Sequence, residues 1–566
     1  MMNMESTRSI NEYKLLSGFI LLWLAVNIFQ ARVTGIYPDE AYYWIFSRHL
    51  QWGYFDHPPF VALSIKAGEL IGHNSLFTRL GSILLSVGSI FFLYKALPAS
   101  FADARLFLIG FVSVIIFHIY AFVATPDGPL FFFTSLFFYA YRRYLRADNF
   151  ENCVLLTIGI VGMLYSKYHG VLPLLFVFLS NPKLIFKTSA WSVIVCVAIA
   201  LLPHVYWQYS HDWPSLRYHL SDRVASAYRI SKTTNYIIGQ LLVWGPVTTI
   251  PAFFCIFKMR NKDPYLKAHV YTLFGSLIFF FLFSFKGKIE PHWTLVAGVS
   301  FIVLLVVALE KSSQQFRKMF TTLAVVNVLI IVAVRVLLFI PGSPITKSSN
   351  LRALFYGRDW ADSVYKYAGT TPVVFIDSYV LPSLYLYYHP EVHTSGFNTI
   401  NYRKTHFTIS DYEIKLNNQK AFVETHGKID SSDLVIKTRY TNVCLHLVDS
   451  FKAVNALKIE WNNKLKVAKA GEEIQASVTV TNCSQQAVVV DSKPNINYTF
   501  FKTRKERVTS PDQQLAQNQF QPGQQIKSNI LLKMPEKPGN YRLIFSLKYF
   551  PFEASLASNY FNVAVR

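Results

Sequence analysis

Apolar residues run almost without interruption from Leu15 to Gln30, and the same density returns in further stretches separated by short polar or basic segments. With their charged flanks the runs fall near 14–35, 77–97, 104–124, 128–146, 153–166, 169–181, 188–208, 236–258, 266–285, 293–310 and 317–340. A helix needs about 20 apolar residues to cross the hydrocarbon core, so the pattern predicts a polytopic α-helical membrane protein with about 11 spans. The runs at 153–166 and 169–181 are short. Basic residues on both outer flanks (Arg142, Arg143 and Arg146 before, Lys183 and Lys187 after) make them two crossings that return to one side. The first run is followed by an extramembrane loop without a small-residue cleavage site and is read as a retained span.

Two stretches of the first loop, Ala41 to Leu50 and Pro59 to Ile71, have helical apolar spacing but are too short and too charged (Arg48, Lys66, Glu69) to cross. They predict helices lying in the interface, roofing a cavity at the membrane surface. Past about residue 341 the pattern becomes that of a soluble chain. Val373-Val374-Phe375-Ile376-Asp377 reads as a buried strand followed by a helix, the start of a small α/β segment extending to about 455. Beyond it Ile474-Gln475-Ala476-Ser477-Val478-Thr479-Val480 alternates, and Pro522-Gly523 and Pro538-Gly539-Asn540 punctuate further strands. This predicts an antiparallel β-sandwich. The expected domains are therefore 1–340 in the membrane, an α/β segment at 341–455 and a β-sandwich at 456–566.

The 566 residues are 52% hydrophobic and 16% charged, with a formal net charge of +22. In a soluble protein that charge would suggest nucleic acid; here much of it lies in short loops between spans, where it sets topology and attracts anionic lipid. Loops carrying Lys95 and Arg105, Arg142 to Arg146, Lys183 and Lys187, Lys258 to Lys267, and Lys311 to Lys318 are assigned to the cytoplasm with the N-terminus. The opposite face then receives loop 36–76, Thr125 to Pro129, Ser166 to Gly170, loop 209–235, Phe285 to Trp293 and everything after the last span. Every cluster of reactive side chains lands on that face. Cys444 and Cys483 are the two cysteines outside the spans and could form one disulfide; no cysteine spacing suggests a metal.

The candidate chemistry sits in those outer loops. In Pro38-Asp39-Glu40-Ala41-Tyr42-Tyr43-Trp44 the carboxylate of Asp39 is the leading candidate for a general base, with Glu40 beside it for substrate. Tyr54-Phe55-Asp56-His57-Pro58-Pro59 adds Tyr54, a second carboxylate and a titratable cation on a backbone stiffened by two prolines. Asp127 lies between two spans. Lys167, Lys286, Lys288 and His292 are cations on the non-cytoplasmic side, against the usual charge bias, which a bound anion explains better than topology. Arg217, His219 and Arg223 form another basic group. Together these cations could hold a phosphate, a guanidinium offering paired donors and an ammonium a point charge. Asp56 with His219 is the weak candidate for a divalent cation.

The ordered motifs Pro-Asp-Glu-Ala-Tyr-Tyr-Trp (38–44), Gly-Tyr-Phe-Asp-His-Pro-Pro (53–59), Thr-Pro-Asp (125–127), Leu-Tyr-Ser-Lys-Tyr-His-Gly (164–170), Pro-x-x-x-Trp (203–207) and Pro-His-Trp (291–293) resemble the GT-C glycosyltransferases of the protein-mannosyltransferase-like superfamily. That superfamily includes the bacterial aminoarabinose transferases of lipid A. The resemblance covers about residues 10–340. It implies transfer of a sugar from a polyprenyl-phosphate donor to a glycolipid, glycan or protein acceptor at the outer face of a bacterial inner membrane, with inversion at the anomeric carbon. By position Asp39 matches the aspartate regarded as the base in such enzymes, with Asp56 and Asp127 orienting or assisting. Where the aminoarabinose transferases have Tyr-Phe-Glu-Lys-Pro, this chain has Tyr54-Phe55-Asp56-His57-Pro58. The arginine they place shortly after the acidic pair is absent, so a different sugar or phosphate clamp is expected. The rival from another class is a transporter or flippase of lipid-linked sugars, which calls for charged residues in mid-span and broken helices in paired halves. A non-catalytic receptor with a glycan-binding sandwich is a further rival, for which so many spans are excessive.

Overall fold

The structure, a computed structural model, describes residues 10–101, 103–219, 228–259, 263–425, 427–490, 494–502, 506–549, 551–552 and 554–566. The chain packs as two compact units: Met1–Tyr218 with Tyr228–Phe355, and His219–Ala227 with Tyr356–Arg566.

The first unit is helical. It opens with α1 (Ile10–Val33), α2 (Pro38–Arg48), α3 (Phe60–Glu69), α4 (Ser75–Ala96), α5 (Ala104–Val112), α6 (Ile115–Tyr120), α7 (Asp127–Arg146) and α8 (Phe150–Ser166). It continues with α9 (Val171–Ser180), α10 (Thr188–Ser210), α11 (Pro214–Arg217), α12 (Ile230–Val243), α13 (Thr249–Lys258), α14 (Pro264–Ser284), α15 (Gly298–Glu310) and α16 (Gln314–Leu337). Among the described residues six segments are long and apolar enough to cross a membrane: α1, α4, α10, α14, Pro291–Glu310 and α16. The short runs at 153–166 and 169–181 are separate helices, α8 and α9, joined through the turn Tyr168–Gly170. The two short helices of the first loop form as α2 and α3, packed on each other, and α2 is buried from Glu40 to Ser47.

Two predicted spans are not continuous. The run 104–124 breaks between α5 and α6, and 236–258 breaks between α12 and α13 at Gly245, whose φ of 122° lies in the region that favours glycine. A broken helix exposes backbone groups that hydrocarbon cannot satisfy. One side chain answers both breaks: the Asn327 amide, fully buried on α16, donates to Ser113 O (3.0 Å) and Thr248 Oγ1 (2.6 Å) and accepts from Val247 N–H at 3.4 Å. Hydropathy sees only the apolar run; the break depends on a partner some 80 residues or more away.

The second unit begins with α17 (Ser349–Ala368), which enters it at Tyr356, then β1 (Val373–Ile376), α18 (Val380–Tyr388), β2 (Thr394–Phe397), β3 (Ala421–Thr425), β4 (Leu434–Ile436) and β5 (Val443–Val448). The sheet order is β2-β1-β3-β5-β4, with β1 parallel to both β2 and β3 and β5 antiparallel to β3 and β4. Fully buried Trp360 packs on Phe375 and Tyr385. The rest is β-rich. Leu457–Trp461, Glu473–Asn482 and Gln525–Lys533 form one antiparallel sheet, while Asn495–Phe501, Gly539–Lys548 and Phe561–Val565 form the centre of another. Their inner faces meet through Trp461 against Phe545 and Phe561. A single hydrophobic core runs from Val374 and Ile376 of the α/β part through to Val565 of the sandwich. Cys444 and Cys483 are free, so the disulfide considered for them is not formed.

Two buried carboxyls give this unit a pH dependence. Glu413 accepts from the backbone N–H and the side-chain amide of Asn455 (3.0 and 2.6 Å), yet burial outweighs these bonds and pushes it up to about 7. Glu424, which accepts from Ile376 N–H at 3.0 Å, is likewise pushed up to about 7, by burial and then by the charge of Asp377. A carboxyl raised in the folded state stabilises fully below its unfolded value and loses that contribution as pH rises through the folded one. We expect the thermal transition of this unit to fall between about pH 4.5 and 7, each group contributing on the order of 3 kcal/mol, since every tenfold gain in proton affinity on folding is worth about 1.4 kcal/mol. Fluorescence-monitored unfolding of wild type and Glu413→Gln/Glu424→Gln across that range isolates the two groups. Parallel pH profiles would refute their role.

Candidate active site

The N-terminus of α2 is built around one buried ion pair. Pro38 occupies its first turn, and the Glu40 side chain reaches back to accept from Tyr37 N–H at 2.9 Å, closing a capping box. Arg79 comes across from α4. Its Nε and Nη2 donate to the two Glu40 oxygens (2.7 and 2.5 Å), and its remaining donors reach the carbonyls of Ala31, Thr34 and Gly35 (3.2, 2.8 and 2.7 Å). Glu40 Oε1 also accepts from Ala124 N–H at 2.8 Å. The pair, with side chains 0 to 1% exposed, thus fastens the α1–α2 connection, α4 and the α6–α7 connection to one point. Asp39, next in line and half-buried, occupies the same first helical turn, where the backbone N–H groups favour negative charge.

Asp127 opens α7 and is buried. Lys167, from the end of α8, places its Nζ 2.8 and 2.9 Å from the two Asp127 oxygens, and His292 Nε2 stands 4.0 Å away. The His292 ring lies against Tyr120, centroids 5.6 Å apart. The Tyr120 phenol, at the end of α6, lies within electrostatic reach of Asp127, Tyr37, Asp39 and Glu290. Four connections far apart in sequence therefore converge at one end of the helical unit.

The second acidic motif joins the same end. Asp56 is buried at 6% exposure and lies within electrostatic reach of Tyr168. His57 Nε2 stands 3.2 Å from the Tyr43 hydroxyl, with the rings edge to face at 5.4 Å. Tyr168 meets His204 Nε2 at 3.3 Å and accepts from Gln208 at 3.1 Å; Gln208 donates also to Ser215, which donates to Tyr54 O. His204 Nδ1 is 2.6 Å from Trp52 O, and Trp207 donates to Gln51 at 2.8 Å. The C-terminal half of α10 thus clamps loop 51–57.

Not every expected residue faces that convergence. The Tyr54 hydroxyl turns inward, donating to the carbonyls of Phe46 (2.9 Å) and His49 (3.2 Å) and accepting from Gln51 N–H at 3.1 Å. Its ring stacks on Phe46 at 4.3 Å and burial pushes the phenol well above its usual range, which makes it a loop anchor. Glu40 is similarly occupied. Lys288 is 75% exposed and pairs with Glu290 at 2.9 Å, while exposed Lys286 lies over the Phe283 ring at 5.7 Å. Lys167 is not an open cation but half of a closed pair. Arg223 falls outside the described residues, and His219 belongs to the second unit. Among the described residues the metal-type grouping of three donors is Asp430, Asp433 and His446, not one at Asp56. Sequence reading passed over Arg79, Tyr120 and Gln208, and placed Tyr43 and His204 in its motifs without the contacts they make. The signal for Arg79 was present, a lone arginine just inside an otherwise apolar span, which in a membrane helix calls for a named partner.

Residues 56–207 match the dolichyl-phosphate-mannose-protein mannosyltransferase family. Over 313 residues the chain is 23% identical to the lipid A galacturonosyltransferase RgtD of Rhizobium johnstonii; the alignment covers 51% of this chain and 63% of that relative, so less than two thirds of its length is spanned. The fold is shared with ArnT from Cupriavidus metallidurans. Its apo crystal structure superposes with a TM-score of 0.54 at 15% identity and its undecaprenyl phosphate complex with 0.53 at 16%, each covering 76% of this chain and 98% of that one. The resemblance read from the ordered motifs is borne out.

Proposed function

From a chain that carries the GT-C membrane fold and a mannosyltransferase-family segment, we propose a membrane glycosyltransferase that moves a sugar from a polyprenyl-phosphate donor to a hydroxyl of a glycolipid acceptor. The observation that carries it is the convergence of Asp39, Asp56 with His57, and the Asp127–Lys167–His292 group at one end of the helical unit. In this reading residues 1–340 are the transferase domain, and 341–455 and 456–566 are its two extramembrane modules. The convergent end and both modules face the periplasm, the assignment the Lys/Arg bias of the loops supports.

The acceptor hydroxyl gives its proton to Asp39 while its oxygen forms the new bond to the anomeric carbon, and the bond from that carbon to the phosphate oxygen breaks on the opposite face, inverting the centre. The leaving group departs as a lipid phosphate monoester, which needs no proton but does need its growing charge stabilised. His57 stands in the first loop where a fixed cation would do this, and the negative charge of the approaching phosphate favours its protonated form. Asp127 and Lys167 neutralise each other and hold the α7 and α8 ends in register. His292, beside that pair, is the further phosphate contact.

The test is transfer itself. Spheroplasts offered acceptor glycolipid from outside are expected to yield glycosylated acceptor, detected by mass spectrometry, and inverted vesicles given the same acceptor are not. Movement of the donor lipid between leaflets without a new glycosidic bond would replace the enzyme by a flippase. Product formed only in inverted vesicles would reverse the orientation.

A further inference from the structure

The second unit carries a groove that the transferase mechanism does not use. It has a volume of about 410 Å³ and is lined by Tyr356, Asp359 and Ser363 on one side and Lys437, Thr438 and Arg439 on the other. The first three recur at helical spacing on α17 and so share one face of it. The other three form the connection from β4 to β5, which is held rigid from within. Thr438 N–H donates to Asn442 Oδ1 (3.1 Å), its hydroxyl donates to Thr441 O (2.7 Å), and Thr441 N–H donates back to that hydroxyl at 3.2 Å. Arg439 lies over the Tyr356 ring at 5.7 Å, and the neighbouring Tyr440 packs edge-on against buried Trp360 at 5.9 Å. Among the described residues neither Lys437 nor Arg439 enters an ion pair with protein, although Asp359 shares the groove.

Two cations without a carboxylate partner among the described residues, on a stiff loop facing an aromatic ring, an acidic side chain and two hydroxyls, ask for a ligand with an anionic end and a hydroxylated body. A guanidinium beside an ammonium suits a phosphate, the one giving paired donors and the other a point charge. Asp359, Ser363 and Thr438 suit sugar hydroxyls, and the Tyr356 ring offers an amphipathic wall. The volume lies in the range of small-molecule sites, roughly 300–1,000 Å³. We propose that this groove binds the phosphorylated saccharide headgroup of the acceptor glycolipid. The assignment rests on the glycolipid-acceptor reading above and adds a second, non-catalytic contact for that substrate.

Full-length protein in detergent, titrated calorimetrically with a soluble phosphorylated glucosamine disaccharide, its dephosphorylated form and inorganic phosphate, tests it. Wild type is expected to bind the phosphorylated disaccharide, more weakly as salt rises, and at least tenfold tighter than either of the other two. Lys437→Glu/Arg439→Glu should weaken that binding at least tenfold, and Tyr356→Ala should reduce disaccharide binding while leaving the response to inorganic phosphate unchanged. Unfolding of the same samples shows that the variants are folded. Equal affinity for inorganic phosphate makes the groove a simple anion site and overturns the headgroup assignment, as does undiminished binding by the double variant or no binding by wild type. Asp39→Asn is expected to bind the headgroup like wild type while failing to transfer. Binding by a wild-type protein that transfers nothing would sink the transferase reading and leave the groove standing.

Discussion

With Asp39 as the proposed base, Asp39→Asn is expected to lower sugar transfer by roughly two to four orders of magnitude, the usual contribution of acid–base catalysis. Asparagine keeps the size of the side chain at the first turn of α2, so the helix and its capping box remain and only the proton acceptor is lost. Donor affinity should therefore change little, and the fall should appear in kcat at saturating donor and acceptor. Asp56→Asn is expected to cost less, since that residue adjoins His57 in the chain and lies within electrostatic reach of Tyr168, a place suited to orienting rather than to taking the proton. Steady-state kinetics on reconstituted variants decide the matter. Near-normal turnover in Asp39→Asn with abolished turnover in Asp56→Asn or Asp127→Asn would move the base to the other carboxylate while leaving the reaction class intact.

Arg79→Met is expected to unfold or severely loosen the end of the helical unit that carries the start of α2. The substitution leaves the buried Glu40 carboxylate without its cation and the carbonyls of Ala31, Thr34 and Gly35 without their donors. Removing one partner of a buried pair costs about 3–5 kcal/mol because the other charge stays behind uncompensated. Detergent-solubilised Arg79→Met should give a markedly lower thermal transition and yield. Arg79→Met/Glu40→Gln should recover part of the loss, since the stranded charge is gone. A transition unchanged in Arg79→Met would show that the α2 terminus is held by packing alone. Because the same pair fixes the backbone that carries Asp39, the single variant should lose activity even where folded protein is recovered.

The membrane class, the strand-rich C-terminal region and the ordered motifs that carry the family resemblance were legible because each follows from local composition or from spacing within one segment. The position of Asp39 beside Glu40 at the start of a short helix followed from the same local pattern. Residue type alone does not tell whether a charge is open or already paired. Lys167 and Glu40 read as substrate groups; in the fold one closes on Asp127 and the other on Arg79, partners 40 and 39 residues distant. Tyr54 fails for a related reason, since its hydroxyl is consumed by carbonyls of its own loop.

By itself the amino-acid sequence determined that the chain is a polytopic helical membrane protein with a strand-rich C-terminal region, because burial in hydrocarbon is a property of composition over a span. Only the tertiary structure decided where spans 104–124 and 236–258 break, since a helix can end inside a membrane only where another element, here Asn327 of α16, receives the released backbone groups. It also decided that the α/β segment and the sandwich share one core, and which of the cations near the site are neutralised. Ion pairing and shared burial depend on distances across the fold, which the order of residues along the chain does not contain.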